Sequence, residues 1–106
     1  MAIAGNQLYR NQRTQKDESA EIDKQLARLE EDIRKLKIDF DIYFNGATKR
    51  APLESRARLE AYIKRVSDNR KLTYSQRYYL NSLVARFTSY RELWRRNLKA
   101  KGEVLV

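Results

Sequence analysis

Ile22, Leu26, Leu29, Ile33, Leu36, Phe40 and Tyr43 follow one another at spacings of 4, 3, 4, 3, 4 and 3. Only a helix brings residues at this spacing onto one stripe, and a stripe this long and apolar must be covered by other helices. The period-two alternation of a half-buried strand is absent. The seam predicts a helix from Asp17 to Phe44. Asp17, Glu18 and Glu21 lie in its first turns, where carboxylates suit the helix dipole. Asn45-Gly46 supplies residues that adopt the left-handed conformation closing a helix. Residues 1–16 are polar and carry no apolar period, so they read as a flexible tail that can add to helix 1.

The rest of the chain carries its own punctuation. Pro52 suits a first helical turn, where its missing N–H costs nothing. Leu59, Tyr62, Ile63 and Val66 then form the buried stripe of a helix over 52–67. Asp68-Asn69-Arg70-Lys71 is a polar turn, and Thr73-x-x-Gln76 reads as a capping box opening a third helix. Leu80, Leu83, Phe87, Tyr90, Trp94 and Leu98 form its seam, and Gly102 ends it. The expected fold is therefore all-α: one domain over 17–101, a three-helix bundle with two long helices (17–44 and 73–100), a short one between them (52–67), and heptad packing. Residues 102–106 form a C-terminal tail.

Lengths raise a question of coverage. At roughly 1.5 Å per residue the long helices span about 40 Å and the middle one about 22 Å. Two arrangements fit. In one, Ile22, Leu26 and Leu29 overhang the short helix and serve as a self-association seam, giving a homodimer or larger assembly. In the other, the 67–72 connection returns all three helices to one sheared core.

Charge divides the chain at Asn45. Residues 1–44 hold 8 Lys/Arg against 9 Asp/Glu, whereas residues 45–106 hold 15 against 5. The whole carries a net charge of +9, which favours acidic partners. Arg91, Arg95 and Lys99 stack at i, i+4 and i+8, with Arg77 on the same arc of helix 3. Arg56, Arg58, Lys64 and Arg65 add to this from helix 2, and Lys49 and Arg50 from the hinge. Arginine outnumbers lysine 10 to 5 in this half, and its planar fork matches phosphate and carboxylate. Tyr74 and Tyr78 lie off the seam as candidates for stacking on bases. The bland alternative is a solvated face partly neutralised by helix 1.

The inventory is poor in catalytic groups. The chain has no His and no Cys, so the commonest general base, nucleophilic thiol and nitrogen or sulfur metal ligands are missing. Its three glycines stand at 5, 46 and 102, far from any phosphate-cradling loop. Adjacent carboxylates such as Glu30-Glu31-Asp32 point different ways on a helix. No catalytic residue, metal or cofactor is expected. No stretch approaches the roughly 20 apolar residues of a membrane span, and Met1-Ala2-Ile3-Ala4-Gly5 lacks the pattern of a signal peptide. A cytoplasmic binding protein is expected.

Leu36-x-x-x-Phe40-x-x-Tyr43-Phe44-x-Gly46, Lys49-Arg50-x-Pro52, Arg56-x-x-Leu59-Glu60-x-x-Ile63 and Arg86-Phe87-x-x-Tyr90-x-x-x-Trp94 together resemble a family of small all-helical domains in myxobacterial and related bacterial proteins. These domains often stand at the C-terminus of longer chains, and the resemblance spans about residues 29–100. It departs from the family pattern after Tyr79, where Leu80 replaces an Arg-Phe pair. It implies domain boundaries and a bacterial source, and it implies no activity. The leading functional expectation is a nucleic-acid-binding module, RNA or DNA. The runner-up is a protein–protein adaptor docking on an acidic partner.

Overall fold

A computed structural model describes residues 2–102, with side chains described from residue 15. Three helices make up the fold: α1 (Ala2–Phe44), α2 (Leu53–Ser67) and α3 (Tyr74–Ala100). The molecule is a rod of 70 × 22 × 19 Å, its length set by α1. The polar N-terminal segment continues α1 rather than forming a tail. It contains no proline, so nothing stops propagation from an already formed helix. The C-terminal tail enters the description only at Gly102.

The seam of α1 is the spine of the core. All seven of its residues are 3% exposed or less. Leu59 and Val66 of α2 and Leu80, Leu83, Phe87, Trp94 and Leu98 of α3 close on it, with Tyr62, Ile63 and Tyr90 partly buried at the margins. Both later helices pack on α1. The residues flanking the seam sort them. Asp23, Glu30 and Lys37 lie on one flank and meet α3: Gln76 Nε2 donates to Asp23 at 2.8 Å, the Tyr79 hydroxyl to Glu30, and the Lys37 ammonium lies 5.9 Å from the Tyr90 ring. Gln25, Asp32 and Asp39 lie on the other flank and meet α2. There the Tyr62 hydroxyl donates to the Gln25 carbonyl at 3.4 Å, and the two aspartates line a groove.

Each helix end uses the chemistry its residues offer. Gly46 closes α1 at φ +85°, donating to the Tyr43 carbonyl while Ala47 donates to that of Ile42. This double bond is the Schellman cap. A Cβ at Gly46 would meet nothing within 4 Å, so only the backbone conformation opposes a side chain there. Gly46→Val should therefore destabilise by about 1–2 kcal/mol, read as a lower urea midpoint in circular dichroism. An unchanged midpoint would mean that the cap does not terminate α1. Pro52 stands as the N-cap of α2, with ψ 59°, one residue outside the helix.

Thr73 and Gln76 form the expected capping box: Thr73 N–H donates to Gln76 Oε1 at 2.9 Å, and Gln76 N–H to Thr73 Oγ1 at 3.1 Å. Gln76 does more. Buried at 6% exposure, it donates through Nε2 to the Ser19 carbonyl and the Asp23 carboxylate. Lys71 pairs with Glu18 at 3.0 Å beside it. These bonds pin the start of α3 to α1 at Ser19–Asp23.

The level of that attachment decides between the two arrangements. Because α3 starts beside Ser19, it covers α1 over the whole length of the seam. Ile22, Leu26 and Leu29 are buried within the chain at 3%, 1% and 0% exposure. They are not an overhanging self-association seam, and the reason for expecting a dimer goes with the overhang. The sheared single core is the observed solution. At its other end Trp94 stacks on Phe40, with centroids 4.2 Å apart and planes 13° apart, and Lys101 lies 4.1 Å from the Tyr43 ring. The end of α3 and the hinge after α1 therefore share one end of the rod.

Candidate nucleic-acid interface

The basic residues expected to act together are divided by α2. At about 100° per residue, Arg58, Tyr62 and Arg65 lie on one side of that helix, and Arg56, Glu60 and Lys64 on the other. The first side borders a groove against α1. Its volume is about 440 Å³, and Arg28, Lys35, Asp39, Arg58 and Arg65 are among its walls. A second hollow of about 500 Å³ lies at the hinge, between Lys49, Arg50, Leu53 and Arg58. Ser55 and Arg58 line both, so groove and hollow adjoin.

Tyr62 is the centre of the groove. The guanidinium carbons of Arg28 and Arg65 lie 5.4 and 5.6 Å from its ring centroid, within the range of cation–π attraction. Burial pushes the Tyr62 hydroxyl above its ordinary pKa, against the pull of Arg28 and Arg65 and with the help of Asp32 and Glu21. Arg28 is also 3.7 Å from Asp32, a loose pair with side chains 73% and 38% exposed. Such a pair contributes little to stability and is readily exchanged for another anion.

Two of the expected phosphate ligands have other work. Arg77 donates through Nη1 to the Ser67 carbonyl and through Nη2 to that of Asn69, both at 2.9 Å. It satisfies the otherwise unpaired C-terminal carbonyls of α2 and the turn after it. Arg56 is 16% exposed at its side chain and lies 3.4 Å from Glu60, folded against the bundle rather than offered outward. Arg77 and Arg56 are thus engaged within the fold.

The others remain open to solvent. Lys49, Arg50, Arg58, Lys64 and Arg65 are exposed, as are Arg91, Arg95 and Lys99 on α3. Arg91 rests 5.9 Å from the Phe87 ring, and Arg95 is held only loosely by Glu92 at 3.9 Å. Tyr74 and Tyr78 are 89% and 72% exposed. They stand near the start of α3, about 20 Å along the axis from Arg91, so bases stacked there would be remote from that stripe.

Arg28 and Lys35 are functional candidates that charge counting passes over. They belong to the half of the chain with a net negative balance, yet they lie i, i+7 apart on the flank of α1 that faces α2. The signal available in the sequence is that flank: one step beyond Gln25, Asp32 and Asp39, these two bases share a face. Comparisons with protein-family models, with curated proteins and with solved structures found no match. No helix among the described residues is long and apolar enough to cross a membrane.

Proposed function

We propose that this chain is a non-enzymatic module that binds nucleic acid through phosphate contacts. The observation that carries the reading is the excess of cations over acids lining two adjoining hollows: the α1–α2 groove, with Arg28, Lys35, Arg58 and Arg65, and the hinge hollow, with Lys49 and Arg50. Arg91, Arg95 and Lys99 form a second cationic stripe on α3, whose last turn ends at the hinge end of the rod. Arg predominates along it, and its forked donors match phosphate oxygens. Contacts to phosphate carry no sequence information, so binding is sequence-tolerant. With no Cys in the chain, a reducing bacterial cytoplasm is a suitable compartment.

Protein purified in low salt should carry bound nucleic acid, read as a raised ratio of absorbance at 260 to 280 nm that falls on washing in high salt. A clean protein ratio, with no oligonucleotide binding, would oppose the reading. A specific observation supports a second one: Ile38, Ile42 and Leu93 are 38–44% exposed, the kind of apolar surface a protein partner covers. On that reading the module docks on an acidic protein, and the same cations meet carboxylates.

The α3 stripe gives a prediction of its own. Arg91→Gln with Arg95→Gln should leave the fold intact, since both are exposed and Gln is a good helix former. It should make the log–log salt dependence of single-strand binding shallower by roughly 1.4, two phosphates at about 0.7 each. The change should be equal for every sequence tested. Weaker binding with an unchanged slope would point to damaged packing instead.

A further inference from the structure

We infer that the α1–α2 groove seats two backbone phosphates of a single-stranded nucleic acid, one on Arg28 and one on Arg65, beside Tyr62. This rests on the proposed function and assigns it a place. Two guanidinium groups from different helices converge on one aromatic ring, at 5.4 and 5.6 Å. Lys35 and Arg58 line the same groove, where Asp32 and Asp39 are the acids among the described walls and Glu21 acts on the ring hydroxyl from nearby. Like charges gathered in this way repel, and a bound anion removes the repulsion. Both guanidinium groups lie within cation–π range of the ring, and their planar forks suit phosphate oxygens.

The geometry also selects the ligand. A groove of about 440 Å³ lies within the roughly 300–1,000 Å³ of ordinary ligand sites. It runs between two packed helices, and a hollow of that size takes the backbone of one strand. Tyr62 is already engaged by two cations, so no base stacks on it, and recognition there is of phosphate alone. The hinge hollow adjoins the groove at Ser55 and Arg58, so the strand leaves toward Lys49 and Arg50.

The test is fluorescence anisotropy with a labelled oligothymidylate of about 20 nucleotides, titrated from about 50 mM salt upward. Arg28→Gln with Arg65→Gln should weaken binding at least about tenfold at the lowest salt and flatten the slope by roughly 1.4. Both side chains are exposed, so the circular dichroism melt should match the parent's. Arg28→Lys with Arg65→Lys keeps the charge and loses the fork, so it should stay at least about fivefold weaker than the parent. Arg70→Lys with Arg86→Lys, exposed and outside both the groove and the α3 stripe, should remain within about twofold. If the parent binds and the Gln pair binds equally well, the seat is refuted and the broader reading stands. Parent-like affinity in the Arg28/Arg65 Lys pair would also refute a fork-specific seat. A parent that ignores the oligonucleotide but binds polyglutamate overturns both, and gives the groove to an acidic protein.

Discussion

Leu26→Glu should leave the chain unfolded at room temperature. Leu26 is 1% exposed, in the middle of the stretch of α1 enclosed by the end of α2 and the start of α3. Removing it forfeits about 1.5–3 kcal/mol of apolar burial. The carboxylate that replaces it loses its hydration with no cation facing the seam, at a cost of several kcal/mol more. A domain of this kind has about 5–15 kcal/mol to lose in total. The readout is loss of the helical circular dichroism signal and of any cooperative urea transition. The parent should in addition show a melting temperature independent of its concentration, because its own α2 and α3 cover the seam. A variant that melts like the parent would put Leu26 on a solvent face, and would restore the overhang and the self-association seam that the structure removes.

Phe40→Ala should cost about 3–5 kcal/mol. Phe40 is fully buried, and its ring stacks on Trp94 at 4.2 Å and lies 5.9 Å from that of Phe44. Tyr90 and Phe87 complete the cluster around Trp94, at 5.8 and 6.1 Å. Truncation opens a cavity at the hinge end of the rod, where few other side chains can close it. It keeps the single Trp94 as a reporter, whose emission should shift to the red as its packed face opens. Urea titration followed by circular dichroism gives the stability change. A loss below about 1 kcal/mol would mean that the aromatic stack does not hold this end together.

The comparison between sequence and structure turns on range. The seam of α1, the glycine cap at Gly46 and the Thr73–Gln76 box are local. Their chemistry lies within a few residues, and a period or a short motif exposes it. The level at which α3 joins α1 is not local. It depends on Gln76 reaching Ser19 and Asp23 across more than fifty positions of chain, and helix lengths alone leave it open. The site divides in the same way. Which side chains are basic is legible; which are spent within the fold is not. Arg77 and Arg56 carry the same charge as Arg91, but one holds two carbonyls and the other lies against Glu60. Arg28 and Lys35 show the converse. A balance summed over the first half of the chain hides them, whereas the face of α1 they share with the groove brings them forward.

The claim that these cations serve phosphate is most directly tested by the salt dependence of the unmodified protein. Its association constant for a generic single-stranded oligonucleotide should fall linearly on a log–log plot against salt. Four to six occupied cations along the groove and hinge would give a slope of roughly −3 to −4, at about −0.7 for each phosphate neutralised. The slope should be the same for oligothymidylate and for a mixed sequence. No binding at about 50 mM salt, or binding whose strength does not change with salt, would contradict the account.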